Sequence, residues 1–130
     1  ESSYGTVDGK TVLDIEDDIA HVALGGKWRM PTKAEFQELI DNCTSEWTTL
    51  NGVNGQKFTS NNNGNSIFLP AAGYRYNGGR SAIGKMCRYW SSSLDTTYPN
   101  CAYTFISHSL NMDTPGTYRY AGVSVRSVSE

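Results

Sequence analysis

Arg88-Tyr89-Trp90-Ser91-Ser92-Ser93 decides the reading of this chain. Tyr89 and Trp90 favour a pleated, half-buried surface, which predicts a strand. The serines after them hydrogen-bond readily to backbone groups and suit a strand end or bend. On both sides lie long segments rich in Gly, Asn, Ser, Thr and Tyr. The strand is therefore expected to be a fixed frame whose flanks carry a working surface. If Trp90 is buried in that frame, Trp90→Ala costs about 3–5 kcal/mol, whereas Tyr98→Ala or Tyr103→Ala leaves the melting temperature nearly unchanged and reduces binding.

The chain of 130 residues suits one domain around one hydrophobic core. Charged residues make up 18%, below the usual quarter, while Gly numbers 13 and Tyr 8. Polarity thus comes from uncharged groups and tyrosine, the mixture that paratope loops use for contact area and adaptable hydrogen bonding. A turn-rich β domain has a similar composition, so both readings stay open at this point. The net charge is −2, and the 11 basic residues form no stripe, which argues against a nucleic-acid partner. No apolar run approaches the roughly 18 residues of a membrane span. Glu1-Ser2-Ser3 reads as the start of a processed product, with any export signal lying upstream.

Cys43, Cys87 and Cys101 are odd in number, so at least one is unpaired within the chain. A Cys87–Cys101 bridge between neighbouring strands and free thiols are the two readings. The spacing matches no zinc pattern.

In chain order, residues 3–11 read as an extended arm with a turn at Gly5 and a hairpin turn at Asp8-Gly9 between Val7 and Val12. Residues 14–24 predict a helix capped by Asp14, ended by Gly25, and apolar along Ile15, Ile19, Val22 and Ala23. His21 reads as a surface or rim histidine. Trp28 and Met30 offer core groups before Pro31. Thr32-Lys33-Ala34-Glu35 is a capping box, and Phe36, Leu39, Ile40 and Cys43 follow at amphipathic-helix spacing. Glu35, Glu38 and Asp41 read as a solvated face. Residues 46–50 and 55–60 are strand-like about a turn at 51–55, and residues 61–65 are a loop. Residues 66–75 predict a short buried strand that Pro70 places at an edge or bend. Residues 76–85 read as a long exposed loop, 94–100 as a turn-rich connection, and 107–116 as a loop. Strands are expected at 101–106 and 118–128, with Val123 and Val125 sharing a face. The order predicts an α+β domain: two N-terminal helices packed on short antiparallel strands with long loops.

The ordered set of Gly26-Lys27-Trp28-Arg29-Met30-Pro31-Thr32, Glu35-Phe36, Leu39, Phe68-Leu69-Pro70-Ala71-Ala72-Gly73-Tyr74-Arg75, Tyr89-Trp90-Ser91-Ser92-Ser93, Ala102-Tyr103, Phe105, Arg119, Gly122 and Ser124-Val125-Arg126 resembles the major paralogous domain family. Those are surface proteins of gut bacteria with a C-type-lectin-like fold, on the branch that includes formylglycine-generating enzymes. The resemblance runs from about Tyr4 to Val128. It implies an extracellular module on a bacterial cell surface, anchored as a lipoprotein or pilus component through upstream sequence, or else on a phage particle. It also implies a monomer that binds a surface protein or a glycan. The C-terminal half is similar to the variable proteins of diversity-generating retroelements, in which adenine mutagenesis rewrites a binding face on a fixed scaffold. On that likeness the ligand-binding positions are Tyr76, Asn77, Arg80, Arg88, Asp95, Thr97, Tyr98, Tyr103, Thr104, His108, Asn111, Tyr118, Ala121 and Val123.

The departures from relatives limit the alternatives. Calcium-dependent lectins carry Glu-Pro-Asn or Gln-Pro-Asp and a later Trp-Asn-Asp, whereas this chain has Tyr98-Pro99-Asn100 and lacks the later triplet. No calcium or other cofactor is therefore expected. Formylglycine-generating enzymes need two reactive cysteines, and Cys87 and Cys101 lack a thiolate-favouring setting beyond Arg88. No catalytic residue is expected. The alternatives are a structural pilus-tip or surface module without a specific ligand, and an enzyme of that branch.

Overall fold

Thr32 and Glu35 start the longer helix as the capping box predicts. The Thr32 hydroxyl accepts from the Glu35 amide at 3.2 Å, and the Glu35 carboxylate accepts from the Thr32 amide at 2.8 Å. The computed structural model describes residues 8–129. The Gly5 turn and Val7 of the expected arm lie outside the described residues. The N-terminal elements are α1 (Ile19–Leu24), β1 (Trp28–Arg29) and α2 (Lys33–Asn42). Next come β2 (Cys43–Leu50), β3 (Val53–Ser60), β4 (Ser66–Pro70), β5 (Tyr74–Tyr76) and β6 (Gly79–Ser81). The chain closes with β7 (Cys87–Leu94), β8 (Cys101–His108), β9 (Asn111–Asp113), β10 (Gly116–Tyr118) and β11 (Val128–Ser129).

The fold is α+β, and among the described residues its strands pair antiparallel in four small sheets. One sheet runs β2-β3-β4, leaving β4 with Pro70 at an edge as expected. Another is built around β8, which pairs with β7, β9 and β10. β5 pairs with β6, and β1 with β11. Phe105, fully buried on β8, stacks on Phe36 of α2 at 5.1 Å between ring centroids and meets Phe58 of β3 edge-on at 5.9 Å. Leu69, Ala71, Cys87 and Tyr89 complete this core. Beside it the buried Ser107 hydroxyl donates to Gln56 Oε1 at 2.8 Å, tying β8 to β3.

The serines after Trp90 act as the sequence suggests. The ladder between β7 and β8 shifts register between Trp90 and Leu94. There Ser91 Oγ donates to the Tyr103 carbonyl at 2.9 Å, Ser92 N to the Pro31 carbonyl at 2.9 Å, and Ser93 Oγ accepts from Lys33 N at 3.0 Å. The bulged strand end is thus bonded to β8 and to the start of α2.

Several expectations are corrected. The first helix is short and is capped by Asp18, not Asp14. Asp18 is buried, and its carboxylate accepts from the amides of Ala20, His21 and Met30, joining α1 to the chain around β1. Asp14 instead pairs with Lys10. Ile15, Ile19, Val22, Ala23 and Trp28 are exposed rather than core, because α1 is held by those amide bonds and buries only Ala20. Val12, on one side of the expected Asp8-Gly9 turn, bridges to Ser93 of β7, while Val7 on the other side lies outside the described residues. The turn at 51–55 contracts to Asn51-Gly52, with φ of 49° and 80°, so β2 and β3 run longer. The stretch 66–75 breaks into β4 and β5, and of β4 only Leu69 is buried. The expected loop at 76–85 contains the second half of a hairpin, turned by Asn77-Gly78 at φ of 47° and 78°. The expected loop at 107–116 carries β9. The long final strand is replaced by β10, a turn, isolated bridges at Gly122 and Ser124, and β11. Trp90 is only half-buried, sharing an open groove with Leu13, Ile19 and Met30.

Glu35 is not simply solvated. Arg29 donates to both of its carboxylate oxygens, at 2.8 and 2.7 Å. This pairing, aided by the Thr32 amide, holds the Glu35 carboxyl at about 2, below its ordinary 4.5. A depressed acid contributes stability that is present above pH 4.5 and lost as the pH falls through about 2. The melting temperature of Glu35→Gln is therefore expected to lie below wild type at pH 6, with the gap closing as both are titrated towards pH 2. In urea unfolding, Phe105→Ala is expected to lose about 3–5 kcal/mol and Trp90→Ala less than that, as their burial dictates.

Candidate functional site

Short strands around the edge of the β8 sheet gather a set of tyrosines. The segment after β10 bridges to β5: Arg75 N donates to the Gly122 carbonyl at 2.7 Å, and Gly122 N returns a bond to Arg75 at 2.9 Å. A Cβ on Gly122 would sit 3.0 Å from Arg75 Cβ, a tight approach that a larger residue meets only if Arg75 gives way by a few tenths of an ångström. Gly73 is required more strongly at the base of the β5–β6 hairpin, where φ is 69° and a Cβ would lie 2.1 Å from the Ser81 carbonyl. These contacts set Tyr76 of β5 beside Tyr118 and Tyr120.

The rings of Tyr118 and Tyr120 stack at 5.2 Å and 11°. Tyr76 tilts against Tyr120 at 5.6 Å, and their hydroxyls are 3.0 Å apart. The bond to Tyr76 is the main cause that pushes the Tyr120 phenol up to about 12. The aromatic faces are open: Tyr76 is 44% exposed, Tyr98 63%, Tyr118 48% and Tyr120 64%. A depression of about 420 Å³ lies among Tyr76, Arg88, Tyr98 and Tyr118, with Asn100, Cys101, Gly116, Thr117 and Ala121 completing its wall.

Arg88 is positioned from the core. Its Nη2 donates to Thr117 Oγ1 at 2.8 Å, and its guanidinium lies 4.8 Å over the Tyr74 ring. Thr117 Oγ1 is in turn 2.9 Å from Thr104 Oγ1, and Thr104 Oγ1 donates to the Pro115 carbonyl at 3.2 Å. Because the Thr104 proton goes to Pro115, the Thr117 hydroxyl donates to Thr104 and accepts from Arg88. Burial pushes the guanidinium pKa down, with partial compensation from Tyr74.

Of the fourteen expected positions, Tyr76, Arg88, Tyr98, Tyr118 and Ala121 come together here. Arg80 and Val123 line a separate depression with Tyr74 and Ile83. Tyr103 lies elsewhere, under the Lys33 ammonium at 3.7 Å from its ring centre. His108 and Asn111 face each other across the β8–β9 turn, and Asn77 sits in the β5–β6 turn. Thr97 is exposed, with its amide bonded to Asp95.

Three of the fourteen are framework. Thr104 is fully buried in the hydroxyl relay. Asp95 is buried, and its carboxylate caps a turn by accepting from the amides of Thr97 and Tyr98. Ala121 is buried although it touches the depression. The sequence reading missed Tyr120, Asn100 and Thr117. Tyr120 escapes a strand reading because β10 ends at Tyr118 and a turn then brings the Tyr120 ring back onto Tyr118.

Cys43, Cys87 and Cys101 are free. Cys87 pairs opposite Ser107 and Cys101 opposite Tyr118, at opposite ends of β8, so the two cannot bridge. Burial pushes the Cys87 thiol up to about 11, and burial followed by the Asp95 charge raises Cys101. Among the described residues, no cluster of three metal-ligating side chains occurs, and no helix is long and apolar enough to cross a membrane. No protein-family model, curated protein or solved structure matches the chain.

Separate roles for relay and rim predict separate outcomes in urea unfolding. Thr104→Val is expected to destabilise the domain by about 1–3 kcal/mol, because the buried Thr117 hydroxyl loses its acceptor. Tyr118→Ala is expected to stay within about 0.5 kcal/mol of wild type.

Proposed function

We propose that the domain is a non-enzymatic binding module of the C-type-lectin-like kind, and that the tyrosine-walled depression is its ligand face. The observation that carries this reading is the exposure of three tyrosines, Tyr76, Tyr98 and Tyr118, around one depression, with Tyr120 stacked behind Tyr118, above a relay anchored in the buried β8 strand. Exposed tyrosine rings held by short strands lose little conformational freedom on binding, and Tyr and Arg dominate binding energy at interfaces. The ligand is a surface protein or glycan met outside a bacterial cell or phage particle, and the domain works as a monomer. The rim tyrosines are the positions that diversification of the gene would rewrite, while Asp95, Thr104 and Ala121 stay constant for the framework reasons above.

Selection of phage-displayed random peptides on the immobilised domain tests this. Enriched peptides are expected to lose at least about tenfold in affinity for a Tyr118→Ala/Tyr120→Ala variant that melts at the wild-type temperature. Peptides that bind both proteins equally would place the ligand face elsewhere. Comparison of the gene among natural isolates adds a second readout: substitutions gathered at Tyr76, Tyr98, Asn100, Tyr118 and Tyr120 support a diversified face, and an even scatter removes it.

A further inference from the structure

Among the described residues, Arg88 is the one cationic side chain lining the tyrosine depression, and no carboxylate forms an ion pair with it. Its environment makes that costly. The Nε–H is buried without an acceptor, one hydrogen bond reaches a neutral hydroxyl, and an aromatic ring covers one face of the guanidinium. A partly desolvated cation normally finds a counter-charge inside its own fold. Asp95 accepts from the Thr97 and Tyr98 amides through Oδ1 and approaches the same wall at Gly116 through Oδ2, yet it forms no ion pair with Arg88 and lines the neighbouring depression. Nor is the arginine left to wander, because the Thr117–Thr104–Pro115 relay fixes its head group. The fold therefore holds a fixed positive charge without an ion-pair partner at an open aromatic depression.

Resting on the reading of this depression as the ligand face, we propose that it receives an acidic side chain, Asp or Glu, from a loop of a protein partner. The carboxylate pairs with Arg88 while flanking apolar groups of the loop lie on Tyr118 and Tyr98. Charge complementarity selects the carboxylate, and a guanidinium fork fits it. A protein loop suits the wall better than a sugar, because open tyrosine faces supply most of the surface offered and part of the polar edge is already engaged, leaving the Tyr98 and Tyr118 hydroxyls and the Asn100 amide. The Tyr76 and Tyr120 hydroxyls bond each other, and the Thr117 hydroxyl serves Arg88 and Thr104.

Two-dimensional NMR of the isotope-labelled domain distinguishes the outcomes, using four probes: Ac-Gly-Glu-Gly-NH2, its Gln counterpart, glucuronate, and N-acetyltyrosinamide. The expected result is saturable movement of the Thr117, Tyr118 and Cys101 amides and of the Arg88 side-chain Nε–H with the Glu peptide. The Gln peptide is expected to bind at least about tenfold more weakly, and the preference to fall in Arg88→Lys, which keeps the charge without the fork. Equal binding of the Glu and Gln peptides at these residues overturns the acidic loop and leaves the ligand face standing. Glucuronate binding as tightly as the Glu peptide overturns the protein occupant in favour of an acidic sugar. If no probe, N-acetyltyrosinamide included, moves these resonances, both the acidic loop and the ligand face fail. The Arg88 side-chain signal is read in the wild-type protein, so the test does not depend on a variant folding.

Discussion

Phe105 is where the parts of this molecule meet. Its ring is packed by Phe36 from the helix and Phe58 from the first sheet, and its backbone belongs to the central strand of the second sheet. Three aromatic residues far apart in sequence thus close one contact that no single hairpin supplies. The neighbouring Ser107–Gln56 bond adds direction to a joint that apolar packing alone leaves free to slide. With β8 pinned there, β7, β9 and β10 follow by pairing, and everything on the outer edge is placed relative to one buried ring.

What was legible in the sequence was local and periodic. The capping box at Thr32 names its own two partners, and the apolar spacing after it has one helical solution. Tyr89 and the serines marked a strand ending in a bend because their chemistry admits little else. The failures share a cause. Ile15, Ile19 and Val22 form a convincing apolar stripe, but a stripe does not say what will cover it, and here a buried aspartate holds the helix instead. Asn77-Gly78 had the composition of a loop and the dihedral preference of a hairpin turn, and only pairing with β5 separates the two. The residues from Tyr118 to β11 read as one alternating strand, but after Tyr118 their partners are isolated bridges to β5 and β7.

The site was legible in residue type and not in place. Polar and aromatic residues in the C-terminal half gave a list in which exposed tyrosines and buried threonine stood side by side. Asp95 and Thr104 have the composition of contact residues, yet each is consumed by a bond visible only in three dimensions. Tyr76 and Tyr120 lie 44 residues apart, and their hydroxyl contact depends on a bridge between two short segments that sequence periodicity does not register.

That bridge has a consequence for what the surface tolerates. Arg75 and Gly122 are joined through backbone N–H and C=O groups, which are common to nearly every amino acid. The rings of Tyr76, Tyr118 and Tyr120 hang beside this joint and contribute nothing to its two bonds. The location of the face and the identity of its side chains are therefore recorded in different atoms. Exchanging a ring rewrites the message while the page on which it is written stays where it is.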